Sequence, residues 1–253
     1  MSTAISGWRL LSATVPGSRH LALGLASDDA IGTLQFDPSS WVVVVADGAG
    51  SARHASRGSA LAVEHGTKYL ATILTQISDF TGDALKSALH DCALQIHDAI
   101  SEESNHTCEP IAEFATTLIV ICATPLWLAA LQIGDGGVAI HRVGESISML
   151  FHPLRGQYIN ETFFVTSSDF RDYQELAVLP IDKIDRIAAF TDGVEFLGVS
   201  MKENRPHARF FDPLFEFALT DNATTEELNS FLSSEKVCNR TDDDKTLFLA
   251  VRK

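Results

Sequence analysis

The stretch Thr117–Gly144, TLIVICATPLWLAALQIGDGGVAIHRVG, decides the fold. Three apolar, β-branched runs predict strands at 115–123, 126–133 and 136–142. They are parted only by Thr124–Pro125 and by Gly134–Gly137. A parallel crossover needs a dozen or more residues, so links this short impose antiparallel pairing. The stretch therefore reads as a meander, and SISMLF at 146–151 extends it.

Working outward, the same signature marks strands at 7–14, 41–46, 161–165, 186–191 and 245–251. Two long segments carry a helical stripe instead. In His54–Ile77 the apolar positions include Leu61, Ala62, Leu70, Ile73 and Leu74. In Asp83–Glu103 they include Leu85, Leu89, Ala93, Ile96 and Ile100. A third helix is expected at 224–234, where TTEEL offers a cap and acids suited to a helix N-terminus. Segment 152–185, mixing Pro, Gly, Asp and Tyr, reads as a mobile connection over one edge. Strands in meanders with adjacent amphipathic helices give the expected class: α+β, an antiparallel sandwich covered by helices. No repeat or low-complexity linker divides the chain, so residues 1–253 are read as one domain.

Composition bounds the function. The net charge is −14, with 33 acidic against 19 basic residues and no basic run. Such a surface repels nucleic-acid phosphates and anionic lipids, so neither nucleic acid nor membrane is an expected partner. Cys92, Cys108, Cys122 and Cys238 are scattered without a C-x-x-C pair, which favours a reducing compartment over a zinc site or a disulfide framework. The opening MSTAISGWRLLSATVPGSRH lacks a basic segment followed by a long apolar run, and no run approaches the roughly 18 residues of a membrane span. A cytoplasmic location is expected.

Aspartates then recur at strand ends. WVVVVADGAG ends one run at Asp47, followed by Gly48 and Gly50. ALQIGDGG ends another at Asp135, and IAAFTDGV a third at Asp192. RTDDDKTLFLAV sets Asp242, Asp243 and Asp244 just before a strand, and SDDA adds Asp28 and Asp29. A single Asp-Gly after a strand is usually only a turn. Several together present carboxylates to one cleft if the strands lie side by side. Like charges that close raise one another's pKa, and a divalent cation relieves the conflict. Hard oxygen donors without His or Cys select Mg²⁺ or Mn²⁺.

The ordered series DGAG, ATT, GDGG, TDG and DDDKT resembles the metal-dependent protein phosphatases of the protein phosphatase 2C type, most of all their compact bacterial members. The likeness runs from SDDA near residue 28 to DDKTLFLAV at the end. It implies two packed antiparallel sheets flanked by helix pairs, in α-β-β-α layers. It also implies a Mn²⁺ or Mg²⁺ centre of two ions, with a third, weaker one. Asp47 matches the aspartate bridging both metals, and the Gly48 carbonyl a ligand of one. Asp192 and Asp243 match ligands of the other. Asp28 and Asp29 match an acidic pair holding metal or its waters, and Asp135 a holder of the third ion. The implied chemistry is hydrolysis of phosphoserine and phosphothreonine by a water bridging the two ions, in proteins phosphorylated by a serine/threonine kinase.

The pattern also departs from the family. Ala49 stands where many eukaryotic relatives carry a histidine, which leaves the general acid unassigned. Leu23, Gly24 and Leu25 fill the region of the usual phosphate-gripping arginine. Arg19 and His20 are the substitutes for that grip, or else a surface and a structural residue. Arg53 and His54 either line the cleft or begin the helix, and Thr116 and Thr117 read as packing residues. The missing arginine also motivates a rival reading, a phosphoprotein-binding module without turnover. A nucleotide-binding P-loop at DGAGSARHAS is excluded by its missing lysine and the lack of a βαβ pattern.

Overall fold

The computed structural model describes residues 7–76, 80–153, 162–200, 202–203 and 205–252. One five-stranded sheet runs β1 (Trp8–Val15), β12 (Lys245–Arg252), β9 (Ile184–Phe190), β6 (Gly137–Arg142) and β7 (Ser148–Phe151). The second runs β2 (Asp29–Asp37), β3 (Ser40–Asp47), β4 (Leu118–Ala123), β5 (Trp127–Ile133) and β8 (Glu175–Pro180). All neighbours in both sheets pair antiparallel. Short β10 (Val199–Ser200) and β11 (Arg205–Pro206) form a separate hairpin.

The central strands show why their runs are continuously apolar rather than alternating. Val42, Val44 and Ala46 of β3 face α2 (Ala55–Gln76) and α3 (Gly82–Thr107), while Trp41, Val43 and Val45 face the opposite sheet. On β12, Leu247, Leu249 and Val251 face α5 (Ala208–Leu219) and α6 (Thr225–Leu232), while Phe248 and Ala250 turn inward. Both faces of the central strands in each sheet are thus buried, giving the α-β-β-α order. Trp41 ties the sheets together at one end, with its ring 5.8 Å from Trp8 and 5.3 Å from Phe248. Each such side chain removed from water contributes on the order of 2–3 kcal/mol.

The meander β4–β5–β6 and helices α2, α3 and α6 lie where the sequence predicts them. Thr224 closes a full capping box with Glu227 at the start of α6. Other expectations need correction. Residues 162–165 form no strand, and residue 161 lies outside the described residues. Within 152–185, the stretch 154–161 is likewise outside them, but the rest is no mere connection. Phe170 is buried against α3, Gln174 bonds His90, and β8 completes the second sheet. Strand β2 was not anticipated because four of its nine residues are exposed and three of those, Thr33, Gln35 and Asp37, are polar. Four helices were also missed: α1 (Ser18–Leu23), α4 (Asp192–Gly198), α5, which holds the aromatic run Phe210–Phe217 around an internal Pro213, and α7 (Glu235–Cys238), which follows α6.

Register decides where the acids lie. Asp29 pairs directly with Asp47, Val15 with Lys245, and Gly137 with Phe190. Strands β1, β3, β5 and β9 therefore end, and β2, β6 and β12 begin, at one edge of the sandwich.

Candidate metal centre

Each strand end delivers its carboxylate there rigidly. The Asp47 amide donates to Thr117 Oγ1 at 3.1 Å, and the Asp47 carbonyl accepts from Thr117 N at 2.8 Å and Thr116 Oγ1 at 3.0 Å. Both threonines are buried, so they pack as expected and also fix the end of β3. Carboxylate oxygens of Asp47, Asp135 and Asp192 lie within 4.8 Å of one another. Asp135 accepts from Thr162 Oγ1 at 2.6 Å, and Asp192 opens α4. Asp29, beside Asp47 on the next strand, accepts from Thr191 Oγ1 and Thr246 Oγ1, both at 2.8 Å, through Oδ2. Its other oxygen, Oδ1, is buried with no hydrogen-bond partner. Among the described residues the Gly48 carbonyl accepts no hydrogen bond either. Unsatisfied buried oxygens beside a carboxylate cluster are what an oxygen-binding divalent cation would satisfy.

A second group, His20, Asp28 and Asp244, differs in kind. Asp244 accepts from Gly17 N at 2.6 Å, His20 Nδ1 at 2.7 Å and Asp28 N at 2.5 Å. His20 Nε2 also lies 3.4 Å from Asp28 Oδ2. The hydrogen bond to Asp244 raises the His20 pKa and favours its cation. This group therefore carries its own counter-charge. Asp244 acts as a bracket joining β12, α1 and the start of β2, a role its sequence position did not reveal.

The sequence-predicted residues thus divide. Asp47, Asp135 and Asp192 come together, with Asp29 alongside. Asp243 stands at the open side, its Oδ1 accepting from Asp244 N at 2.9 Å and its charge felt by Asp192. Asp28 faces His20 instead. Arg19 is exposed, with no acid partner among the described residues. Arg53 turns outward to Glu109 at 2.7 Å, and His54 stacks on Phe114, so neither joins the carboxylates. The hydroxyls of Thr162, Thr191 and Thr246 were missed. Only Thr191 and Thr246, the threonines of the TDG and DDDKT motifs, carried any signal.

Electrostatics makes the metal-free cluster costly. Asp47 is raised well above the ordinary carboxylate range, by burial first and then by Asp29, Asp192 and Asp135. Burial, with Asp135 and Asp243, lifts Asp192 to about 7. Burial also takes Asp29 to about 7 against the pull of the threonine hydrogen bonds. At Asp244 the order reverses: burial opposes ionisation, but its three hydrogen bonds outweigh that and hold its pKa below the ordinary value.

The sign of the pH effect follows. Between the ordinary value of 3.8 and about 7, the folded metal-free chain holds protons on Asp29 and Asp192 that the unfolded chain has released. Stability therefore falls as pH rises through that window. Melting temperature in EDTA should decline steadily from about pH 5 to about pH 8, and saturating Mn²⁺ should flatten the decline. A melting temperature that climbs with pH in EDTA would contradict this electrostatic picture.

Comparisons with known proteins show what the chain as a whole is similar to. Residues 16–233 match the family described as Protein phosphatase 2C. Serine/threonine-protein phosphatase 3 of Escherichia coli (strain K12) is 33% identical over 255 residues, covering 96% of this chain and 98% of its own. Among solved structures, the serine/threonine phosphatase Stp1 from Staphylococcus aureus superposes with a TM-score of 0.67 at 14% identity, over 99% of this chain and 96% of its own. Serine-threonine phosphatase 2C from Toxoplasma gondii gives a TM-score of 0.67 at 12% identity, over 99% and 96%. These two likenesses are of fold.

Proposed function

The chain belongs to the protein phosphatase 2C family, and from that premise we propose how its residues carry out the reaction. It is a metal-dependent serine/threonine protein phosphatase acting on phosphoproteins. We assign Asp47 to both of two ions and the Gly48 carbonyl to one. Asp192 and Asp243 are assigned to the other, Asp28 and Asp29 to the metals or their waters, and Asp135 to a third ion. The all-oxygen donor set favours Mn²⁺ or Mg²⁺. The observation that carries the reading is the Asp47–Asp135–Asp192 cluster, whose oxygens crowd within 4.8 Å beside the unsatisfied Oδ1 of Asp29.

When bound, the ions supply an activated water for in-line attack on phosphorus and offset charge on the phosphoryl oxygens. The chain's own task is placement. Strand β3 and the two threonines hold Asp47 still, and Thr191 with Thr246 aim Asp29. His20 spends both ring nitrogens on Asp244 and Asp28. We therefore assign it the bracket and give the contact with substrate phosphate to Arg19, whose guanidinium is uncommitted among the described residues. We read the chain as one domain, since both sheets share one apolar interior. Its substrates are proposed to be products of a serine/threonine kinase. A cytoplasmic setting suits four free cysteines. No helix among the described residues is long and apolar enough to cross a membrane.

The test uses the EDTA-stripped chain and matched phosphoserine, phosphothreonine and phosphotyrosine peptides. Manganese should restore hydrolysis of the first two and leave the third at least about tenfold slower. Binding of the phosphothreonine peptide without turnover at saturating Mn²⁺ and Mg²⁺ would refute the assignment.

A further inference from the structure

The fold also holds a cavity that none of the clustered carboxylates lines. The β10–β11 hairpin, the last turn of α4, and helices α5, α6 and α7 enclose a cavity of about 940 Å³. That lies at the upper end of the range for small-molecule sites. Its floor is apolar, built from Phe210, Leu214, Phe217, Leu228 and Phe231. Arg205, Arg209, Lys236 and Arg240 line it as well.

The charge balance here is unlike the rest of the chain. The protein as a whole carries −14. Of the two acids lining the cavity, Glu203 pairs with Arg205 at 2.6 Å, and Glu227 is committed to its capping box with Thr224. Arg209, Lys236 and Arg240 are exposed and have no acid partner among the described residues. Three uncommitted cations at the mouth of an aromatic cavity complement a molecule with an apolar body and an anionic head. The head gains charge-assisted hydrogen bonds from arginine, and the body removes aromatic surface from water.

We propose that this cavity is a binding site for a small amphipathic organic anion, an alkyl or aromatic carboxylate or sulfonate. It is separate from the metal centre and does not depend on how the metal ligands are assigned.

Titrating the full chain with the fluorescent aromatic sulfonate 8-anilinonaphthalene-1-sulfonate reads the site. One saturable site is expected, emptied by decanoate but not by decylammonium at equal concentration. The double variant Arg209→Glu/Arg240→Glu changes only exposed residues and should weaken binding at least tenfold. Ala208→Trp, which places an indole at the cavity wall, should remove it. Mn²⁺-dependent hydrolysis of p-nitrophenyl phosphate, within twofold of the parent, is the control for an intact fold. Probe affinity within twofold of the parent in the charge-reversed variant overturns the proposal, and so does equal displacement by decylammonium. A concentration-dependent dimer that Ala208→Trp abolishes also overturns it, because a second copy of the chain would then be the occupant.

Discussion

Asp47→Asn is expected to cut Mn²⁺-dependent hydrolysis of a phosphothreonine peptide by about 10³-fold or more, while the metal-free chain melts a few degrees higher than the parent. The two effects share a cause. Asp47 is half-buried beside Asp29, Asp135 and Asp192, all of which push its pKa up. Without a cation its charge works against the fold, and an amide of the same shape relieves that repulsion. In the proposed centre the same charge is the ligand, and losing it should remove several kcal/mol of transition-state stabilisation, each 1.36 kcal/mol being tenfold in rate. Differential scanning fluorimetry with and without Mn²⁺, beside a rate assay, checks both halves. The stabilisation gained on adding Mn²⁺ should shrink in the variant. A variant that keeps more than a tenth of the parent rate, or melts lower than the parent in EDTA, would exclude Asp47 as a ligand of the metal centre.

Gly193→Ala should damage both stability and rate. A Cβ at this position would fall 1.8 Å from the carbonyl oxygen of Asp244 and 2.9 Å from its carbon. The obstacle is main chain, so no side-chain rotation relieves it, and overpacking of this kind costs about 1–3 kcal/mol or more. Either α4 or the start of β12 must move. One carries Asp192 and the other follows Asp243. A misplacement of about 1 Å at a reacting centre costs on the order of 10² in rate. Gly50→Ala is the matched control, since nothing lies within 4 Å of a Cβ there. Urea unfolding and kcat/KM measured on both variants decide the matter. Equal behaviour of the two would show that the close packing of α4 on β12 is dispensable.

Much of this was legible in the sequence because short links and long apolar runs leave few options. Thr117–Gly144 allowed little but a meander, and it became β4, β5 and β6. Asp47, Asp135 and Asp192 were visible because each sits where an apolar run stops, and Asp242–Asp244 because an apolar run starts just after them. What stayed hidden depended on partners far along the chain. Asp242, Asp243 and Asp244 are chemically identical in sequence, yet only Asp244 is buried, because Gly17, His20 and Asp28 converge on it. Strand β8 is a short edge strand ending in Pro180, a residue edges tolerate and central strands do not. Helix α5 was disguised by Pro213, which ordinarily argues against a helix interior. In β2 the exposed half of the strand removed the apolar run that marks its neighbours.

The pairing of β1 with β12, from Trp8 opposite Arg252 to Val15 opposite Lys245, has a consequence for synthesis. During translation, Asp47 and Asp192 emerge long before Asp243, Asp244 and the strand that seats them. Until that strand leaves the ribosome, Gly17 and His20 have nothing to grip. On the proposed ligand assignment a nascent chain is expected to stay silent toward phosphoproteins until then, and a protease cut that frees the stretch after Thr241 should return it to silence.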